Sequence, residues 1–280
     1  MIIAWIADYF VEEHQGGAQQ TNEEMIRYGE SLGYKIIKIR PDDFSKKVLK
    51  NVDLAITNNI MKFHSDYIEW ISDNVPFIRY EHDYSCLDNH KNPFRNAVAS
   101  IFLSPLHYKS IGIECPNVKY VPSPVIGFEP IKNVYRKKNS VIWIGYFSKH
   151  KGLDRIVDFA LNNLNYNIDF YGNHDHEVIV ELNKYRNLRY MGFLNGIKAK
   201  KKAYSSYEYF IHLPNWNEPF GRTILEAYLC GCGLIVDNDR IGAMSYGWDY
   251  SNYDMIKKET ENAPAKFWEI VKECYGSKKV

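Results

Sequence analysis

Two glutamates, Glu218 and Glu226, stand eight positions apart in the run EPFGRTILEAYLCGCG, Glu218–Gly233. The run follows a strand-like YFIHL and the short loop PNWN. Glu218 falls in the loop before a helical stretch, and Glu226 about a turn and a half inside it. A helix start carries unpaired N–H groups and a partial positive charge, which suits a diphosphate. Gly221 at that start allows backbone to approach a ligand closely. A carboxylate before such a helix can accept hydrogen bonds from sugar hydroxyls, and one further along can reach those of a ribose. Taken alone, the same two glutamates are more simply read as part of a capped surface helix.

The elements that must position these residues alternate along the chain. Strand-like segments are Ile2–Ala7, Tyr34–Arg40, Asp53–Thr57, Val75–Tyr80, Ile101–Ser104 and Val118–Pro122, with helical patterns such as Ala18–Leu32 and Ser65–Ser72 between them. Apolar strands between amphipathic helices point to parallel sheets covered on both faces. Pro122, Pro124 and Pro130 then crowd together, and the polar stretch Lys132–Ser140 follows as the expected linker. A second series begins at Val141–Tyr146, continues through the helix Leu153–Asn163, and adds strands IDFYG, LRYMG, YFIHL and GLIVD. Two such series predict an α/β chain of two Rossmann-like domains, 1–130 and 131–262, with a closing helix in 263–280.

With 280 residues, 45% of them apolar, the chain is long enough to bury a proper core. A net charge of +1 argues against a whole-molecule pull on nucleic acid or acidic membrane. The cysteines Cys86, Cys115, Cys230, Cys232 and Cys274 are odd in number and fit no disulfide or zinc spacing. A reducing, cytoplasmic setting is the simpler expectation. The opening MIIAWIADYF does not read as a signal peptide, and no apolar run is long enough to span a bilayer.

The Glu218–Gly233 run closely resembles the donor-binding signature of glycosyltransferase family four and its GT-B relatives. The matching residues are Glu218, Pro219, Phe220, Gly221, Glu226, Ala227, Cys230 and Gly231. GGAQQTNEEMIRYGESLGYKI, Gly16–Ile36, resembles that family's opening loop and helix. IWIGYFSKHKGLDRIVDFA, Ile142–Ala160, resembles the strand, loop and helix after its linker. The resemblance implies a GT-B fold and a retaining transfer of sugar from a UDP- or GDP-linked donor. It assigns Gly16 and Gly17 to donor phosphates and acceptor, and Lys151 to neutralising the leaving diphosphate. Glu218 would hold the sugar, and Glu226 the ribose. His82, in RYEHDYS, would approach the transferred sugar, with Glu81 and Asp83 as lesser polar candidates. Gly172, Asn173 and Phe193 would lie on the base side, with Phe220, Gly221, Arg222 and Thr223 lining the donor at the helix start. Gly145 matches the glycine at the strand end. Tyr146 stands where the family has an arginine, with Lys149, His150 and Arg222 as possible replacements for the missing cation.

The reaction implied is a front-face displacement in which the acceptor hydroxyl attacks as the diphosphate departs from the same side. The protein positions the partners and stabilises the leaving charge. No cofactor and no metal are expected. Asp237–Asp239 imitates a metal-binding DxD, but follows a buried strand where the family turns. His174–His176 reads as solvated loop, and the basic run Lys198–Ala203 as an exposed helix face. The expected acceptor is a glycan or a lipid-linked saccharide met at the membrane surface. One alternative is a phage-type enzyme acting on hydroxymethylated DNA bases in an infected cell. The other is a non-catalytic module that binds nucleotide sugar or glycan.

Overall fold

A computed structural model describes residues 1–84, 94–173 and 176–276. Cys86, Ser85 of the RYEHDYS segment, and His174 and Asp175 lie outside the described residues. The chain divides into two compact units, Met1–Pro124 with Lys258–Val280, and Val125–Lys257.

In the first unit six parallel strands lie in the order β2-β1-β3-β4-β5-β6. They are β1 Ile2–Ala7, β2 Lys35–Ile39, β3 Leu54–Asn58, β4 Phe77–Glu81, β5 Ala99–Phe102 and β6 Val118–Tyr120. Helices α1 Gly17–Ser31, α2 Lys46–Leu49, α3 Ser65–Asn74 and α4 Pro105–Ile111 connect them. Strand β1 feeds two cores because its side chains alternate between sheet faces. Ala4 and Ile6 join Ile39, Ala55, Ile68 and Phe77 on one side. Trp5 packs against Phe267 and Trp268 on the other, at centroid distances of 5.7 and 6.5 Å. Those two aromatics belong to the closing helix Ala263–Gly276, so the C-terminus completes the N-terminal core. Gly29 permits this approach. A Cβ there would sit 2.1 Å from the Trp268 ring, and the Trp268 indole N–H donates to the Met25 carbonyl at 2.8 Å.

In the second unit five parallel strands run in the order β11-β10-β7-β8-β9. They are β7 Lys137–Ile144, β8 Asn167–Tyr171, β9 Leu188–Tyr190, β10 Tyr207–His212 and β11 Gly233–Val236. The helices are α5 Leu153–Asn162, α6 His176–Leu182, α7 Gly196–Ser206 and α8 Arg222–Leu229. The helix α9 Tyr253–Glu261 runs across the division, and the closing helix is α10. Trp143, Ile156, Ile168, Phe170 and Ile211 form the core.

One sequence expectation is corrected here. The stretch Lys132–Ser140 is not all linker, because Lys137–Ser140 opens β7. Its polar residues sit where the strand begins, at the sheet rim. Arg136 just before it donates to the carbonyls of Tyr204, Tyr207 and Cys230. Among the described residues, no helix is long and apolar enough to cross a membrane. The described cysteines, Cys115, Cys230, Cys232 and Cys274, are free thiols.

Candidate functional site

In an open parallel sheet, ligands favour the carboxyl ends of strands where the strand order reverses. In the second unit the chain leaves β7 towards β8 and β9, then returns to place β10 on the other side of β7. The reversal therefore lies between β7 and β10. Lys151 sits in the short 3-10 turn Lys149–Lys151 after β7. Glu218 sits in the loop after β10, and the two meet there. Lys151 Nζ donates to both carboxylate oxygens of Glu218, at 2.9 and 2.7 Å.

Two further donors and a pinned backbone surround that carboxylate. His212 Nε2, at the last residue of β10, and Trp216 Nε1 each lie 3.3 Å from Oε2. The Glu218 N–H donates to the Arg240 carbonyl, and its own carbonyl accepts from the Gly242 N–H. Burial would push the Glu218 carboxyl up, but the Lys151 charge and the His212 hydrogen bond outweigh it and hold it well below the ordinary range. The site thus keeps Glu218 as a formed carboxylate against Lys151 Nζ. His150 stacks on the Trp216 ring at 4.9 Å.

Two glycines shape this corner. Gly152 has φ +68°, and a Cβ there would lie 1.8 Å from the Leu213 carbonyl oxygen. Gly221 caps α8 with φ 90° and ψ 50°, a left-handed conformation that favours glycine. Phe220 is buried and packs edge-on against Tyr246, so it acts from within the core. Arg222 opens the helix and Thr223, half-buried, follows it.

Glu226 is fully buried. It accepts from Arg222 Nε at 3.0 Å, the Tyr204 hydroxyl at 3.3 Å and Lys200 Nζ at 3.5 Å. Arg222 and Glu226 thus form a buried ion pair one turn apart. The carboxyl ends of β7, β8 and β9 are knit by glycine. The Gly145 N–H donates to the Tyr171 carbonyl, and the Gly172 N–H to that of Gly192. At Gly172, φ is +144° and a Cβ would lie 1.7 Å from the Gly145 carbonyl oxygen. Around these ends Tyr146 and Phe193 stand 66% and 58% exposed, and Asn173 is exposed. Tyr146, expected from the resemblance to replace an arginine, thus presents an exposed phenol.

Residues 127–252 match the family model of glycosyl transferases group 1. The matched stretch falls within the second unit. Solved structures cover nearly the whole chain. AviGT4, a glycosyltransferase involved in avilamycin A biosynthesis, aligns with TM-score 0.63 and 14% identity over 98% of this chain and 96% of its own. An α-glucosyltransferase in complex with UDP and a 13-mer DNA gives 0.64 and 14%, over 99% of each. The lipopolysaccharide outer core galactosyltransferase WaaB gives 0.64 and 14%, over 97% and 99%. These likenesses place the chain in the GT-B fold. No curated protein sequence matches.

Lys151, Glu218, Gly221, Arg222, Thr223 and Glu226 all lie within the matched stretch, as do Gly145, Tyr146, Gly172, Asn173, Phe193 and Phe220. Gly16, Gly17 and His82 lie in the first unit. Gly16 caps α1, where a Cβ would meet the Gln19 side chain at 2.4 Å, and Gly17 is the first helical residue. His82 is buried after β4 with its ring 4.4 Å from that of Tyr80. Glu81 is committed to Arg79, whose Nε donates to it at 2.8 Å, both side chains being fully buried.

Of the two charged runs, the reading of one is revised. Asp237 accepts from Arg155 Nη2 at 2.8 Å and lies 3.4 Å from Arg240 Nε, so this carboxylate serves arginines. In the 198–202 run, Lys200 turns to Glu226 and Lys201 pairs with Glu129. That helix face is half inside the domain rather than simply solvated. The sequence reading passed over His212 and Trp216. The visible signal was a polar residue ending an otherwise buried strand, which has no meaning until its neighbour across the loop is known.

Proposed function

We propose that this protein transfers a sugar, with retention of configuration, from a UDP- or GDP-linked donor to a hydroxyl of a glycan or lipid-linked saccharide. The carrying observation is the Lys151–Glu218 pair at the β7/β10 reversal, beside the left-handed Gly221 that opens α8. In this reading the diphosphate rests on the α8 N–H groups, and Lys151 neutralises its departing charge. Glu218 accepts from the donor sugar and Glu226 from the ribose. Gly16, Gly17 and His82 serve the phosphates and the transferred sugar, while Gly172, Asn173 and Phe193 serve the base. No metal is required, because cations and helix N–H groups stabilise the leaving charge. The free thiols suit a cytoplasmic enzyme that meets lipid-linked acceptors at the membrane surface.

Of two solved structures of this fold, one is an α-glucosyltransferase in complex with UDP and DNA, and the other a lipopolysaccharide outer core galactosyltransferase. Two of the four lysines in the 198–202 run are taken up by carboxylates, which leaves little basic surface there for DNA. The saccharide acceptor is therefore preferred. Retention of Lys151, Glu218 and Glu226 favours an active enzyme over a binding module.

A thermal-shift series with UDP, GDP and their sugar conjugates tests this. A ligand at 100 times its Kd stabilises by about 2.7 kcal/mol, a rise in Tm of about 5–10 °C. Only nucleotide diphosphates and their conjugates should produce it. No rise with any of them would overturn the reading. Glu226→Ala is expected to weaken the effective nucleotide by about tenfold, the scale of losing a hydrogen bond to a charged group, and an unchanged Kd removes Glu226 from the ribose.

A further inference from the structure

The structure assigns His212 as a positioning residue, which fixes the Glu218 carboxylate through Nε2–H and so leaves Oε1 as the oxygen offered to the donor sugar. This rests on the proposed role of Glu218 as the sugar-holding carboxylate.

His212 is 3% exposed and ends β10. A carboxylate only accepts, so the contact with Oε2 at 3.3 Å requires the hydrogen on Nε2. Its Nδ1 is buried with no hydrogen-bond partner among the described residues. A hydrogen there would be an unsatisfied buried donor, and an imidazolium would add a second cation beside Lys151. Burial correspondingly pushes the imidazole below its ordinary range, against the upward pull of Glu218. The side chain is therefore neutral, in a single tautomer. The ring of Phe210, two residues earlier on the same strand face, lies nearly parallel at 6.3 Å.

The oxygens of Glu218 are not equivalent. Oε2 takes Lys151, His212 and Trp216, which exceeds its two lone pairs, so they share it. Oε1 takes Lys151 alone and keeps a lone pair for a substrate hydroxyl. With the backbone pinned at Arg240 and Gly242, the remaining freedom is rotation of the side chain. His212, on the strand rather than in the loop, is the rigid member that stops it.

His212→Leu and His212→Gln in the full chain separate positioning from packing. The probes are UDP and UDP-glucose, with GDP and GDP-mannose in parallel, reading Kd for the nucleotides and donor hydrolysis for kcat and KM. The leucine variant should lose about 10–100-fold in kcat, the scale of a hydrogen bond to a charged group. Nucleotide Kd should be unchanged. The glutamine variant, whose amide N–H reaches a position close to that of Nε2–H, should recover most of the loss. Unchanged kcat in the leucine variant, or no recovery in a folded glutamine variant, overturns the inference. Nitrogen-15 NMR of the wild-type imidazole needs no variant. Hydrogen on Nε2 with bare Nδ1 near pH 7 is expected, and the opposite tautomer or an imidazolium overturns it. If the wild-type protein binds none of the four probes, it is the transferase reading that has failed, and the NMR result still decides the tautomer.

Discussion

Replacing Lys151 with alanine is expected to lower turnover by about 10²–10³-fold, the scale of losing one preorganised group that meets developing charge. Nucleotide affinity should fall much less, because the α8 N–H groups remain. The same change acts on stability. Lys151 is a quarter exposed and Glu218 more buried, so its loss leaves a mostly buried carboxylate without its main counter-charge. About 2 kcal/mol of destabilisation is expected, below the usual range for a fully buried pair. The sign with pH follows from the shift. Burial raises the carboxyl of Glu218, and Lys151 and His212 lower it further than burial raises it. In the wild type this group therefore contributes stability above its unfolded pKa of about 4.3 and loses it as the pH falls. Without Lys151 the raising effect of burial gains weight, so the stability gap between variant and wild type should narrow as the pH falls below about 4. Lys151→Ala with Glu218→Gln should restore much of the stability and none of the rate. Chemical denaturation at several pH values, together with single-turnover kinetics, checks both halves. Wild-type turnover in a folded Lys151→Ala protein would remove the residue from the leaving-group role.

Gly152→Ala should be the most damaging single methyl group near the site. At φ 68° and ψ 40° alanine pays about 1–2 kcal/mol for the left-handed conformation alone. Its Cβ would also lie 1.8 Å from the Leu213 carbonyl oxygen, which is backbone and cannot rotate away. The turn holding Lys151 must then move off the end of β10. A loss of about 3 kcal/mol or more is expected, with activity lost even at temperatures where the protein stays folded. Gly17→Ala is the matched control. It opens α1, and a Cβ there meets nothing within 4 Å. It should leave stability unchanged or raise it by about 0.5 kcal/mol. Equal melting temperatures for Gly152→Ala and wild type would refute the close-approach argument.

The sequence by itself determined the two α/β series, the strands that build them, and the run from Glu218 to Glu226 around a helix start. These were legible because they are local. Strand apolarity, helix periodicity and a glycine before a helix act over a few residues, and the polar–apolar pattern survives in any context. The start of β7 was misjudged for the same reason, since Lys137–Ser140 is polar locally and is held in the sheet by neighbours such as Tyr207. Only the tertiary structure decided which groups share a lone pair. Lys151 and Glu218 are 67 positions apart and meet because β10 returns beside β7. Lys200 and Glu226 meet because α7 packs beside α8. The closing helix likewise completes the first core through Trp268, 243 positions from its acceptor at Met25. Contacts of that range depend on strand order, and strand order is a property of the assembled sheet, not of any segment within it.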